Sequence, residues 1–240
     1  KADEQDILCR ISAVNRGPEP APLHVLPHLW FRNTWSWGYD RPRPQLRAVA
    51  PGVVHTDHRH LGERWWTVDA AGHGDVPLLF THNETNFERL FGTPNATPYV
   101  KDGINDAVVD GREDRVNPEP AGTKVAAHFQ RRVEPGETFI VQVRFSNVTH
   151  DAPFDDAGAV FERRIAEADA FYAAIERPDL NEEARRIHRQ ALAGVMWSKQ
   201  FYHYSVELWL DGDPAQPTPP AARRSGRNHD WDYAYCLDVH

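Results

Sequence analysis

Near residue 155 the spacing of apolar side chains changes, and that change constrains the fold of this 240-residue chain more than any other feature. Before it, apolar residues fall on alternate positions: Ile7, Cys9, Ile11 and Ala13, then Leu23, Val25, Pro27, Leu29 and Phe31. A period of two belongs to strands with one face buried. After it, Phe161, Ile165, Ala168, Tyr172 and Ile175 follow at steps of 4, 3, 4 and 3, the stripe of an amphipathic helix. A β-rich half therefore precedes a helical one.

Within the β-rich half, further strands are predicted at 48–55, 63–69 and 76–82. A hairpin is predicted late: Val125, Ala127 and Phe129 on one arm, Phe139, Val141, Val143 and Phe145 on the other, across Glu134-Pro135-Gly136-Glu137. Polar insertions at 38–47, 92–100 and 110–122 separate the strands. Many short strands with Gly/Pro turns imply an antiparallel β-sandwich. In the second half, Arg177-Pro178-Asp179 stops the first helix. Asn181 caps a second one, with Glu182 and Glu183 in the first turn, where the helix dipole favours anions. Ala184, Ile187, Ala191 and Val195 predict its buried face, and it should run to about residue 200. Residues 202–210 alternate again, as an extended segment or a hairpin arm would, and the proline-rich 213–220 must be a surface loop. The expected organisation is a β-sandwich over 1–150, a connecting helix over 151–179, and the start of a helical domain over 180–240. The chain opens at Lys1 and closes in an apolar stretch, so it reads as an internal piece of a longer polypeptide.

Charge and motifs narrow the function. The formal charge is −8, from 35 acidic against 27 basic residues, which argues against nucleic acid or an acidic membrane as the main partner. No apolar run approaches the ~20 residues of a membrane helix. Two cysteines make no disulfide framework, which favours a reducing, cytoplasmic setting. The sequence has no Gly-rich phosphate loop, G-x-S-x-G elbow or CxxC pair. The histidines of 55–60 fit no metal-ligand spacing and enclose Arg59, so a solvated loop, with no metal and no cofactor, is the expectation.

Three clusters carry candidate chemistry. In 29–38, Trp35 and Trp37 stand beside Arg32 and Asn33: core and seam residues first, since these outnumber ligand contacts in most folds, or a stacking platform with hydrogen-bonding heads. Thr81-His82-Asn83-Glu84-Thr85-Asn86 follows an apolar strand, and Glu84 is either an acid/base or part of a self-satisfied turn. The segments 197–204 and 227–231 combine aromatic faces with polar heads and read as a sugar-pocket wall or as core helix plus exposed loop.

Taken in order, LPHLWFRNTWSW (26–37), FTHNETN (80–86), YVKDG (99–103), MWSKQFY (196–202) and GRNHDW (226–231) resemble the microbial glucosidase-like proteins of glycoside hydrolase family 63, mannosylglycerate-hydrolase-like proteins among them. The resemblance spans nearly the whole chain. It implies an N-terminal β-sandwich followed by an (α/α)6 toroid, and hydrolysis of α-glycosidic bonds in a small carbohydrate with inversion. Inversion needs two carboxyl groups roughly 6.5–9.5 Å apart. The resemblance places both beyond residue 240, so this stretch holds no catalytic residue and is expected to be inactive alone. It offers Trp197, Lys199, Tyr202, Arg227, Asn228 and Asp230 as substrate contacts, with Trp35 and Trp37. Two other readings stand beside it: a non-catalytic carbohydrate-binding module built on Trp35 and Trp37, and a β-domain enzyme using Glu84 and Asp102.

Overall fold

Alternation at the start of the chain becomes β1 (Asp6–Val14), and the run after the 15–19 turn becomes β2 (Ala21–Val25) and β3 (His28–Trp30). The break between them falls at Pro27, which has no N–H for a ladder. The computed structural model describes residues 1–39 and 41–239. Asp40, inside the expected 38–47 insertion, and His240, the last residue of the expected helical start, lie outside the described residues.

The remaining β elements of the first half are β4 (Leu46–Ala50), β5 (Val53–His58), β6 (Gly62–Val68), β7 (Leu78–Thr81), β8 (Ala121–Gly122), β9 (Lys124–Ala127), β10 (Phe129–Val133) and β11 (Thr138–Ser146). Two short helices, α1 (Phe87–Phe91) and α2 (Gly103–Asp110), lie between β7 and β8. All described pairings are antiparallel. β1, β11, β6, β5, β4 and β8 form one sheet, β3, β9 and β7 a second, and β2 pairs with β10. One apolar core joins them: Leu46, Val54, Trp66 and Val68 from the large sheet meet Phe80, Val125, Phe129 and Val133 from the smaller ones. Trp66 stands opposite both Phe145 and Val54 in the register, which fixes its face inward.

Several sequence expectations need correction here. The span 48–55 is two strands, because Pro51 and Gly52 turn the chain, with Gly52 at φ 68°, a conformation glycine adopts without strain. The 134–137 turn exists, closed by Glu137 N–H donating to Glu134 O (3.0 Å), but its arms do not pair with each other. β10 goes to β2 while β11 goes to β1 and β6. The turn is tied instead to the end of β1 by Asn15, whose Nδ2 donates to Val133 O at 2.9 Å. The histidine-rich 55–60 is not a loop: His55 and His58 lie in β5, where His58 stacks on Phe31 with centroids 4.5 Å apart.

The first compact unit comprises Lys1–Asn33 and Pro42–Phe161, and the second comprises Thr34–Arg41 and Glu162–His240. In the first, Arg144 of β11 is buried (4% exposed) and binds Asp6 of β1 through two nitrogens, the Pro153 carbonyl at 2.7 Å and Asp156 at 2.8 Å. The carboxylates hold its guanidinium above its ordinary pKa despite burial. Leu8, Ala157 and Val160 form a small apolar cluster beside this network.

The long helices are α3 (Ala157–Ile175) and α4 (Glu182–Ser198), the second capped as expected: Asn181 Oδ1 accepts from Ala184 N–H at 2.9 Å. Arg189 joins them, paired with Asp169 at 2.5 Å and lying 4.7 Å over the Tyr172 ring. The predicted buried face of α4 is not covered. Ile187 is 58% and Val195 61% exposed. No described helix is long and apolar enough to cross a membrane. The chain is thus a mixed β/α protein with antiparallel sheets and few helices.

Candidate functional site

Helix α4 delivers the first group of candidates. Its last turn closes as Ser198 Oγ donates to Val195 O (2.9 Å), and Lys199 then leaves the helix in an extended conformation. Trp197, on that last turn, is 89% exposed. The chain continues as β12 (Phe201–Ser205), which pairs antiparallel with β13 (Tyr235–Val239), setting Tyr202 opposite Asp238 and Tyr204 opposite Cys236. Strand alternation was expected to continue to residue 210. Instead Ser205 caps α5 (Val206–Asp211) by accepting from Leu208 N–H, and the backbone turns helical. Serine at an N-cap competes with the strand by satisfying an orphan amide.

The second group sits on the return path. Arg223 Nη1 donates to Trp209 O at 2.8 Å, and its guanidinium lies 4.8 Å over the Trp209 ring. Asn228 then adopts φ 72°, the left-handed conformation that asparagine tolerates better than most residues, and its Nδ2 donates to Tyr204 Oη at 3.2 Å. That bond fastens the 226–231 stretch to β12. His229 Nδ1 lies 2.7 Å from Gly226 O, where it donates, and Nε2 lies 3.1 Å from Asp230. Arg227 and Asp230 are exposed.

Trp35 and Trp37 form a 3-10 turn, Trp35–Trp37, and are half-buried. Trp37 O accepts from Ala215 N–H at 3.0 Å, and Ser36 O accepts from Gln216 Nε2 at 3.1 Å. All eight candidates consequently fall in the second unit, although Trp35 and Trp37 precede the others by more than a hundred residues. Asn228 is brought to β12, and the Trp35–Trp37 turn is brought to the 213–220 loop. Trp197, Tyr202, Trp231 and Tyr235 present exposed aromatic faces, and Lys199 and Arg227 exposed charged heads.

The carboxylates of the β-domain reading lie in the first unit, in ion pairs. Glu84 is 3.1 Å from Arg43. Asp102 accepts from Arg89 at 2.6 Å and from Asn86 at 3.1 Å. Arg89 also binds buried Asp106, holding its carboxyl below the usual range chiefly through that hydrogen bond. The glycine of the YVKDG stretch has a steric reason, since a Cβ at Gly103 would collide with the Arg115 carbonyl. Sequence reading did not join one set of residues: His24, His28, Lys124 and His128, which with Lys101 line two adjoining cavities in the first unit, although His28 and Lys101 fall inside the quoted 26–37 and 99–103 stretches. They are scattered over three strands and the link between β9 and β10, so no single local motif holds them together.

No family model matches the chain. It is similar to the uncharacterized protein YMR196W of Saccharomyces cerevisiae, with 32% identity over 266 residues, covering 96% of this chain and 24% of the yeast protein. The chain thus spans about a quarter of the length of that relative.

Proposed function

We propose that this stretch is the β-sandwich and the opening helices of an (α/α)6 toroid in an inverting glycoside hydrolase of the family 63 type, acting on a small α-linked sugar. The observation that carries the reading is the Asn228–Tyr204 hydrogen bond, which unites the 197–204 and 226–231 segments into one aromatic and polar locus. Trp197, Lys199, Tyr202, Arg227, Asn228 and Asp230 then supply stacking faces and hydroxyl partners, with Trp35 and Trp37 in the same unit. The uncovered apolar face of α4 suits packing by further helices, and the alignment with only 24% of the yeast relative is compatible with a much longer protein. The resemblance to family 63 implies both catalytic carboxylates beyond residue 240, and the two carboxylates of the β-domain reading, Glu84 and Asp102, are paired with arginines.

The test is to incubate the intact protein with α-linked disaccharides and follow the first product by proton NMR. Release of the β-anomer is expected. Release of the α-anomer, or saturable binding without any turnover, would sink the inverting-hydrolase reading, the latter in favour of a binding module. If Arg227 contacts substrate, Arg227→Ala should lower kcat/KM about 10–100-fold, the scale of one charge-assisted hydrogen bond of about 1.5–3 kcal/mol. The same substitution should leave the unfolding midpoint unchanged, since Arg227 is exposed.

A further inference from the structure

We propose that the groove between α2 and strands β2, β3, β7, β9 and β10 of the first unit binds a small organic anion, its carboxylate or phosphate held by Lys124 and Lys101 and its body resting on Leu26, Ile104, Val108 and Val109. The groove is two adjoining cavities of about 700 and 760 Å³ that share His24 and Val108. Each is within the ~300–1,000 Å³ of small-molecule sites.

The first lobe is built for negative charge. Lys124 stands at the start of β9, half-buried, and its Nζ donates to the Lys101 carbonyl at 2.9 Å. Among the described residues it makes no ion pair. The nearest acid, Asp102, is committed to Arg89 and Asn86. Burial first, and then Lys101, lower the pKa of Lys124, and burial followed by Lys124 does the same to His28. Two cations and a histidine thus converge on one carboxylate, Asp102, which offsets part of the charge on Lys124 and is shared with Arg89 and Asn86, so the lobe keeps an excess of positive charge that an anion would relieve.

The second lobe differs in character. It carries two acids, Glu113 and an Asp114 paired with Arg112 and Arg115, which keep a ligand's charge in the first lobe, while Tyr99, Gln130 and His128 offer hydrogen-bonding groups. His24 and His128 meet where the lobes join, with Nδ1 and Nε2 2.7 Å apart and rings stacked at 5.0 Å. They share one hydrogen bond, so each retains a second ring nitrogen. A ligand with its charge in the first lobe would extend a polar or apolar body past this pair. The site lies wholly in the first unit and does not depend on the hydrolase reading.

The experiment is calorimetric titration of the intact protein with phenyl phosphate, benzoate, inorganic phosphate and, as the neutral control, benzyl alcohol. Saturable binding of phenyl phosphate or benzoate is expected, with weaker binding of inorganic phosphate and none of benzyl alcohol. Preference between the first two distinguishes a phosphate monoester from a carboxylate. Lys124→Met should weaken binding about tenfold or more, an increment of about 1.4 kcal/mol, while Lys124→Arg should retain most of it. Lys101→Met, at an exposed side chain, checks the same charge without touching the strand. Failure of both phenyl phosphate and benzoate to bind at about 10 mM would overturn the proposal. So would affinity unchanged in both methionine variants.

Discussion

Replacing Arg144 by methionine is expected to destabilise the β-rich unit by about 3–5 kcal/mol, the scale on which a buried ion pair loses one partner. Asp6, itself buried, would lose the guanidinium that supplies three of its contacts, at 2.9, 3.1 and 2.5 Å, and keep only the His150 ring, 3.6 Å away, as a basic neighbour. The Pro153 carbonyl and Asp156 would lose their donors at the same moment, freeing the segment that leads into α3. Urea unfolding should show a lower midpoint with an unchanged slope. The paired substitution Arg144→Met with Asp6→Leu discriminates between charge and packing, and should recover most of the loss, since apolar replacement of a whole buried pair is often neutral. A single-variant cost below ~1 kcal/mol would place this network with surface ion pairs instead.

Phe129→Ala carries a comparable expected loss, about 3–5 kcal/mol, through the cavity it would leave. Phe129 stands where the chain passes from one sheet to another. β9 ends at Ala127, whose N–H donates to Pro27 O at 3.1 Å; His128 N–H donates to Pro77 O at 3.0 Å; and Phe129 opens β10 opposite Val25. Its ring sits in the shared core with the His73 ring edge-on at 5.1 Å. Removing it would loosen two sheets from one another as well as expose apolar surface. Gln130→Ala, one residue along and exposed, should change stability by no more than about 0.5 kcal/mol. Equal effects at the two positions would contradict this account.

Phe129 also shows how far the sequence could be read. Alternation correctly said that Val125, Ala127, Phe129, Val141 and Val143 point into a core. It could not say which strand lies beside which, because a period of two fixes a face and leaves the partner to be chosen by long-range packing. The 134–137 turn invited the local pairing, and the register with β1, β2 and β6 prevailed. Local signals did better where the chemistry is local: Asn181 capped its helix as its position predicted. At the candidate site, the 197–204 and 226–231 segments were legible as motifs. Their union was not, since it rests on the backbone of Asn228 and on one side-chain bond to Tyr204. The anion groove was invisible for the same reason, Lys124 being remarkable only through its burial.

The contact between Ser36 and Gln216 joins residues 180 positions apart. On the ribosome, at ~5–20 residues per second, the Trp35–Trp37 turn would emerge about 10–40 s before the segment that receives it. During that interval the Ser36 and Trp37 carbonyls await the donors of Gln216 and Ala215, while the strands on either side in sequence can already be assembling. The order of synthesis therefore leaves this short strap to be fastened late, after the chain on both sides of it in sequence has been made.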